Sequence, residues 1–417
     1  MRIGYACLTR GIPYTDFKGV TSKNATPERL IEVTGHNLNS LENILRYNVE
    51  DGLNMFRLSS DLIPFGSSPV NGTRWWEIFK PQFQDLGRLI RDNDIRVSMH
   101  PGQYTVLNSP DWDVVSRAVE DLAYHNLLLD SLSLDRRAKI IIHIGGVYGD
   151  KEGAIKRFKE AYKELPDRIK DRLIIENDER LYSIQEVLQV GTDLGIPVVF
   201  DNLHHQVKMG DGKDHMWIRE AAKTWKREDG VQKIHYSQQD PDKNQGAHSE
   251  TIDVKDLIQY IDTNIHHDLD IMLEVKDKNL SAKKATNAVI DTGRITNLER
   301  EWSRYKYNVL ESSPEAYHEI RNLLKDKDAY PVEEFYRLVD RAIYRTAPSQ
   351  GTLINGIDHV WGYFKDVATE KDKVRFRREL RRFEEGKLSL RAIKNSLWRL
   401  NEKYRDPYLM KSYYFHL

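Results

Sequence analysis

Six short apolar segments between positions 96 and 274 each end in a side chain that can bind a metal ion. Their last residues are His100, His143, Glu176, Asp201, His235 and Glu274. The segments are rich in Val, Ile and Leu, which is typical of parallel strands that are buried on both faces. Parallel strands in α/β barrels carry their functional side chains where the strands end. We therefore expect the six side chains to converge on one site.

Two further histidines belong with this set. His204 lies three residues after Asp201 in DNLHH, and His248 lies in QGAH, in the loop that follows the expected seventh strand. Because a carboxylate such as Glu176 can bridge two cations, the set predicts a centre for two or three divalent ions. The alternative is a layer of buried polar side chains. His205 is expected to pack elsewhere, since adjacent residues on a turn point in different directions. Five other histidines lie in helical or loop segments and are expected at the surface: His36, His125, His215, His266 and His267.

The chemistry that such a centre supports is not unique. Clustered cations lower the pKa of bound water and neutralise charge on a leaving oxygen, which suits phosphoester hydrolysis. They also polarise adjacent oxygens, which suits sugar isomerisation. A barrel without catalytic activity that serves as a binding platform is a third possibility. The metal ligands by themselves leave these functions open.

Two loops favour a nucleic-acid substrate. The segment HPGQYTVLNS sets Gln103 and Tyr104 on a Pro-Gly turn beside the ligands. A planar amide and an aromatic ring in that position can wedge into or stack on bases, although a packed turn would look the same. Arg57, in FRLSSDLIPF, is a donor suited to phosphate, with pairing to a barrel acid as the alternative.

The order of elements predicts the fold that holds these residues. Residues 3–6 and 55–58 are expected to form the first two strands, and the six ligand-terminated segments the third to eighth. Helical segments alternate with them, which predicts an α/β TIM (β/α)8 barrel, with a doubly wound open sheet as the competitor. Strand signals stop after about residue 288, so we expect a barrel domain over 1–290 and a smaller all-α domain over 296–417.

Composition narrows the class of protein. The only cysteine among the 417 residues is Cys7, which excludes an intrachain disulfide and a thiolate-rich zinc finger. The sequence begins without a signal-peptide pattern and contains no run of about 20 apolar residues, so we expect a cytoplasmic protein without a membrane partner. No nucleotide cofactor is expected.

The charge is unevenly distributed. The net charge is −1, yet residues 365–405 contain 14 Lys and Arg against 7 Asp and Glu, a formal charge of +7. This stretch and nearby aromatic residues predict a nucleic-acid surface, with an ordinary solvated basic face as the alternative. The aromatic residues are Trp361, Tyr363, Phe364 and Trp398.

Several motifs together closely resemble the UV damage endonuclease family. They are SSDLIPF, SMHPGQY, HIGGVYG, IENDER, VVFDNLHH, KIHYSQQDP, GAH and LEVKDK, in this order over about residues 1–290. The resemblance implies a barrel and metal site similar to those of the endonuclease IV group. It also implies cleavage immediately 5′ to UV photoproducts and other lesions in duplex DNA, with 3′-hydroxyl and 5′-phosphate products, usually with Mn²⁺ and otherwise with Zn²⁺ or another divalent ion. An apurinic-site endonuclease of the endonuclease IV type and a sugar isomerase or epimerase are the alternatives.

The resemblance also assigns roles. It implies one ion on His100, His143 and Glu176, a second on Glu176, Asp201, His235 and Glu274, and a third on His204 and His248. Gln103 and Tyr104 match the family's pair that probes the lesion from within the duplex. Arg57 and Tyr5 are also expected to contact damaged double-stranded DNA, and Glu176, Glu274 and Lys233 are the expected catalytic residues.

Lys233 matches a family lysine that can carry a carboxylated amine beside the metals. It lies two residues before His235 and therefore on the same face of the strand. A bare ammonium there would face the cations, so the lysine is expected to be carboxylated or to have a lowered pKa.

The C-terminal part resembles another family. From about residue 298 to the end, the sequence is similar to the YbgA-like helical domain family, whose function is not established. The resemblance identifies the module without giving it a role.

Overall fold

In the residues that the computed structural model describes, 1–208 and 211–417, eight parallel strands close into a barrel in chain order. The strands are β1 (Ile3–Ala6), β2 (Met55–Leu58), β3 (Arg96–Met99), β4 (Lys139–His143), β5 (Leu173–Glu176), β6 (Val198–Asp201), β7 (Lys233–Tyr236) and β8 (Asp270–Leu273). The barrel is closed because β1 pairs with both β2 and β8. The predicted TIM barrel is confirmed.

Helices follow the strands and then continue alone to the end of the chain. The helices are α1 (Pro27–Asp51), α2 (Trp75–Ile78), α3 (Lys80–Asp92), α4 (Trp112–Ser131), α5 (Lys151–Glu164), α6 (Asp167–Lys170), α7 (Ile184–Leu194), α8 (Asn202–Val207), α9 (Asp214–Ala222), α10 (Val254–Asn264), α11 (Asn279–Val289), α12 (Ile295–Ser312), α13 (Pro314–Leu323), α14 (Val332–Asp340), α15 (Gln350–Trp361), α16 (Glu370–Glu384) and α17 (Leu390–Tyr404). Within the described ranges, none of these helices has the length and apolar character that crossing a bilayer would require.

The chain divides into two compact units. The barrel unit comprises Met1–Thr9, Tyr14–Ile252 and Asp256–Lys283, and the helical unit comprises Arg10–Pro13, Asp253–Lys255 and Lys284–Leu417. The main division falls within α11, before the boundary expected between residues 290 and 296, and that boundary stays a prediction.

Local sequence signals explain where the elements begin and end. Ser183 caps α7, and its side chain and that of Glu186 form a reciprocal capping box. Gly195 ends the helix with φ 69°, a left-handed conformation that glycine adopts without steric cost.

The interior of the barrel is layered. Side chains two residues apart on a strand share a face, so Asp270, Met272 and Glu274 occupy successive levels. Asp270 accepts a hydrogen bond from buried Arg96 at 2.7 Å, and Met272 joins an apolar cluster with Met55. Glu274 follows β8 at the carboxyl end of the barrel. A polar floor and an apolar middle layer therefore support the level that contains the metal-ligand candidates.

The helical unit has its own core of aromatic and aliphatic side chains. Trp361 stacks on Phe376 with ring centroids 4.1 Å apart, and Tyr363 stacks on Tyr408. Phe364 is fully buried, and the ring of Trp398 packs against that of Phe415. The expectation that these aromatic residues would line a nucleic-acid surface is therefore wrong for Phe364. Trp361, Tyr363 and Trp398 are half-buried and pack against the same core, and for them it stays a prediction.

We expect Gly4→Ala to destabilise the barrel. A Cβ atom at Gly4 would lie 2.7 Å from Met55 Cβ and would overlap the Met55 carbonyl group. Overpacking of this kind costs about 1–3 kcal/mol. The urea midpoint of unfolding measures the effect. Gly19→Ala is the matched control, since nothing lies within 4 Å of its added Cβ, and an equal midpoint for both variants would contradict the prediction.

Candidate metal centre

Glu176 lies at the middle of the candidate site. It is the last residue of β5 and is 1% exposed. His235 Nδ1 lies 2.8 Å from its Oε1, whereas His100 Nε2 lies 3.3 Å from its Oε2. His143 Nε2 lies 4.0 Å from the same Oε2. The two carboxylate oxygens therefore face different imidazoles, as a bridging ligand requires.

Two groups of potential ligands share this carboxylate. In each group the ligand atoms lie within 4.8 Å of one another, and the groups are His100, His143 and Glu176, and Glu176, Asp201 and His235. In the described part of the chain, these are the groups of three or more such side chains that meet this distance. Glu274 adjoins the second group, with its Oε1 3.1 Å from His235 Nδ1.

The other two predicted ligands differ in position. His204 Nδ1 donates to the Asn177 carbonyl oxygen at 2.9 Å and lies 3.6 Å from Glu176 Oε1. His248 Nδ1 instead contacts the backbone carbonyl of Glu274, and it belongs to neither group. A third ion on His204 and His248 stays a prediction. His205 packs on Phe200, as expected for the neighbour that does not reach the site.

The donor atoms fit divalent cations. Asp201 Oδ2, His235 Nε2 and His143 Nδ1 are buried, and in the described residues they have no hydrogen-bond partner. Buried polar atoms rarely lack a partner, so a bound ion would supply the partner that these three atoms lack. Imidazole and carboxylate ligands suit Zn²⁺ and Mn²⁺, and the free Cys7 belongs to neither group.

Buried carboxylates dominate the electrostatics of the centre. Burial alone would raise the pKa of Glu176, but the charge of His235 and a hydrogen bond from His100 bring it well below its usual value. Burial also raises the pKa of Glu274, but the charges of Arg57 and His235 lower it by more, so the pKa lies below its usual value. Both side chains are therefore carboxylates at neutral pH.

Asp201 behaves differently from these two carboxylates. Burial raises the pKa of Asp201, His204 opposes that rise, and the charges of Glu176 and Glu274 add to it. The pKa of His204 is raised to about 9, because the charges of Asp201, Glu176 and Glu274 outweigh its burial. The three carboxylates thus concentrate negative charge at this end of the barrel, and the imidazolium of His204 partly neutralises it. A bound cation would take over this neutralisation.

Two basic residues lie beneath this level of the barrel. Arg57 Nη1 donates to Glu274 Oε1. Of the two alternatives for Arg57, phosphate binding or pairing to a barrel acid, this structure therefore has the second. Lys233 is fully buried, and in the described residues its Nζ has no hydrogen-bond partner. Burial and the nearby charge of Arg96 lower the pKa of Lys233 well below its usual value.

The turn after β3 presents its side chains to solvent. Gln103 is exposed and Tyr104 is 69% exposed. The next residue, Thr105, is buried and donates to Asp121 Oδ2 on α4 at 2.6 Å. Exposed side chains therefore lie on a turn that is fixed from below.

A buried histidine extends this support to the candidate ligand His100. His125 on α4 was expected at the surface, which is wrong, because it is fully buried. Its Nε2 lies 2.9 Å from Ser60 Oγ, and Ser60 Oγ lies 3.2 Å from the His100 carbonyl oxygen. A polar contact therefore runs from α4 to the backbone of His100.

One predicted DNA contact must be corrected. Tyr5 is fully buried, and its hydroxyl donates to Asn48 Oδ1 on α1 at 2.7 Å. A side chain enclosed in this way has no surface to offer to DNA.

The sequence reasoning missed Tyr148, five residues after His143. It is 46% exposed and has φ 50°, which is unusual for a bulky residue, and the Arg157 guanidinium lies 5.7 Å from its ring centroid. Strained, exposed residues cluster at functional sites. The glycines of HIGGVYG were the available signal, since a Cβ at Gly146 would lie 2.9 Å from the Tyr148 ring.

A family model, related sequences and a solved structure all relate this chain to UV damage endonucleases. A family model for UV-endonuclease UvdE matches residues 2–303, and one described as a protein of unknown function (DUF1722) matches residues 306–417. A UV DNA damage endonuclease from Clostridium perfringens (strain 13 / Type A) is 36% identical, covering 94% of this chain and 96% of that protein. One from Bacillus cereus (strain 03BB102) is 34% identical over 65% of this chain and 86% of its own length. The crystal structure of SacUVDE matches with a TM-score of 0.65 and 38% identity, covering 68% of this chain and 96% of that one.

The shared carboxylate makes the two ligand groups separable by mutation. Glu176→Gln should lose both ions, whereas Asp201→Asn should lose only the ion of its own group, since Asp201 belongs to one group. Mn²⁺ titration calorimetry and elemental analysis after dialysis measure the number of ions bound. Glu160→Gln is the control, because Glu160 is 61% exposed on α5. Equal stoichiometry in the Glu176 and Asp201 variants would refute the sharing.

Proposed function

Because the chain belongs to the UV-endonuclease (UvdE) family, we propose that it cleaves duplex DNA immediately 5′ to UV photoproducts and other lesions. The products would be a 3′-hydroxyl and a 5′-phosphate. The observation that carries this proposal is the pair of ligand groups that share Glu176, beside an exposed turn with Tyr104. The ligand groups suit phosphodiester hydrolysis, and the exposed turn suits contact with unstacked bases.

Recognition would depend on how easily the damaged duplex is deformed. Lesions weaken stacking, so they reduce the cost of extruding nucleotides, which is about a few kcal/mol for a flipped base. Tyr104 and Gln103 would fill the space that the lesion leaves. The contacts of Thr105 with Asp121 and of Ser60 with His125 support this role, since a wedge must resist displacement.

The ligand groups would hold two divalent ions. His100, His143 and Glu176 would bind one, and Glu176, Asp201, His235 and Glu274 the other. A third ion on His204 and His248 belongs to the same proposal, and Mn²⁺ is the expected metal, with Zn²⁺ or another divalent ion as alternatives. When bound, such ions lower the pKa of water and neutralise charge on the phosphoester.

The residues of the chain would orient this chemistry. Glu176 fixes the imidazoles of His235 and His100 through its two oxygens. Arg57 holds the Glu274 carboxylate and keeps it ionised. These fixed contacts would reduce the reorganisation needed when the scissile phosphate arrives.

Lys233 would be carboxylated. A neutral amine attacks carbon dioxide, a nitrogen–carbon bond forms, and one proton is released to give a carbamate anion. Burial and the charge of Arg96 favour the neutral amine, and Arg57 and Lys139 are also close enough to disfavour an ammonium ion. The same cations would stabilise a carbamate, which supports the modification.

Cleavage is tested with supercoiled plasmid, either ultraviolet-irradiated, untreated or depurinated, and Mn²⁺. The full chain should nick the irradiated plasmid preferentially, whereas an apurinic-site endonuclease would prefer the depurinated one. Glu176→Gln should reduce the rate by more than about 100-fold, since even residues that only orient a ligand cost 10- to 100-fold. Glu160→Gln should leave the rate unchanged. Equal nicking of irradiated and untreated plasmid would refute damage specificity.

Tyr104→Ala should lower the ratio of nicking rates on irradiated and untreated plasmid while leaving Mn²⁺ binding intact, because Tyr104 belongs to neither ligand group. Trp112→Ala is the matched control. Trp112 is 76% exposed at the start of α4, but Asp111 and Asp113 flank it and would repel phosphates. The wedge role fails if the ratio is the same in the two variants.

A carbamate on Lys233 is detectable by ¹³C NMR after equilibration with labelled carbon dioxide. The wild-type protein should give a side-chain carbamate resonance that Lys233→Met lacks and that Lys156→Met retains. Lys156 is the control because its side chain is 77% exposed. Identical spectra for the two variants would exclude the modification.

A further inference from the structure

A row of exposed basic residues runs along α16 in the helical unit. This α16 ridge consists of Lys371, Arg375, Arg378 and Arg382, all exposed. Their spacings of four, three and four residues place them on one side of the helix. The opposite side is anchored in the core by Phe376 and Phe383. The ridge therefore faces solvent along the whole helix.

The acidic residues of α16 leave most of the ridge unpaired. Asp372 contacts Lys403 Nζ and the Tyr404 hydroxyl, each at 2.6 Å, and Glu379 Oε1 accepts from Arg375 Nε at 2.9 Å. In the described ranges, no carboxylate lies within ion-pair distance of three members of the ridge. These members are Lys371, Arg378 and Arg382.

Helix stability does not explain this arrangement. Like charges four residues apart, as in Arg378 and Arg382, repel each other and weaken the helix. The helix dipole favours cations only in the last turn, which suits Arg382 but disfavours Lys371 in the first turn. An anionic partner would remove both penalties.

The chemistry of the ridge indicates which anion fits. Three of its four members are arginines, and one planar guanidinium group can donate two parallel hydrogen bonds to the oxygens of a phosphate. Neighbouring aromatic rings are engaged in the core, as in the stack of Trp361 on Phe376, so the surface offers charge without base stacking. From residue 371 to 382 the helix rises about 16 Å, which corresponds to about five base-pair steps of DNA.

We propose that the α16 ridge binds the phosphate backbone of duplex DNA without regard to sequence or damage. The identity of the polyanion rests on the proposed function, since the ridge itself reads only repeated phosphates. The charge of the surrounding sequence supports binding to a polyanion, because residues 365–405 have a formal charge of +7 in a chain of net charge −1. The contact would raise affinity for undamaged and damaged DNA alike.

Binding of the full chain to an undamaged 30-base-pair duplex over a salt series tests the proposal. Arg378→Gln/Arg382→Gln should reduce the slope of log affinity against log salt by about two, since each phosphate contact contributes about 0.9. Lys325→Gln/Arg345→Gln removes the same charge from exposed positions of the helical unit and should leave the slope unchanged. All four positions are exposed, and circular dichroism checks the fold of each variant.

Equal slopes for the two double variants would overturn the ridge as a DNA surface. The same conclusion follows if the ridge variant loses affinity for duplex RNA but not for DNA. Plasmid nicking separates this result from the proposed function. A ridge variant that still prefers irradiated plasmid but binds with a shallower slope supports both proposals. A protein that nicks no plasmid but shows the change in slope refutes only the proposed function.

Discussion

The mutual repulsion of buried carboxylates is the constraint on which the site depends. Glu176, Asp201 and Glu274 lie together at the carboxyl end of the barrel, where burial opposes their ionisation. Imidazoles and Arg57 keep two of them charged, whereas the pKa of Asp201 is raised. An arrangement of this kind is costly in an empty protein and favourable around cations, because a bound ion reverses the local electrostatics.

Strand register explains why one carboxylate belongs to both ligand groups. His143 on β4 is paired in register with Glu176 on β5, and Asp201 on β6 with His235 on β7. The first group therefore comes from the β3–β5 side and the second from the β5–β7 side, with β5 between them. A shift of one residue in β5 would turn Glu176 away from the interior and separate the groups. The closed barrel prevents that shift, because every strand is held on two sides.

The sequence predicted the strands and the convergence of five candidate ligands, because both depend on local patterns. An apolar run that ends in His, Asp or Glu is visible without any knowledge of tertiary contacts, and the observed β4, β5 and β6 end at the predicted residues. Errors arose where burial depends on distant residues. Tyr5 is enclosed by α1, and His125 by the loop that carries Ser60, and neither contact leaves a signal in the neighbouring sequence. The basic stretch was visible, but the packing of Trp361 on Phe376 was not.

The two proposed DNA contacts would contribute differently to function. A ridge that binds damaged and undamaged duplexes equally adds the same free energy to both complexes, so it cannot change the ratio of their affinities. It can only raise the time that the protein spends on DNA, and this effect weakens as salt rises. Discrimination would then come from an element that responds to deformability, and we propose Tyr104 for this role because it is exposed on a fixed turn. Selectivity would therefore persist at salt concentrations where the contribution of the α16 ridge is lost, because unstacking is far less sensitive to ionic strength than phosphate contacts are.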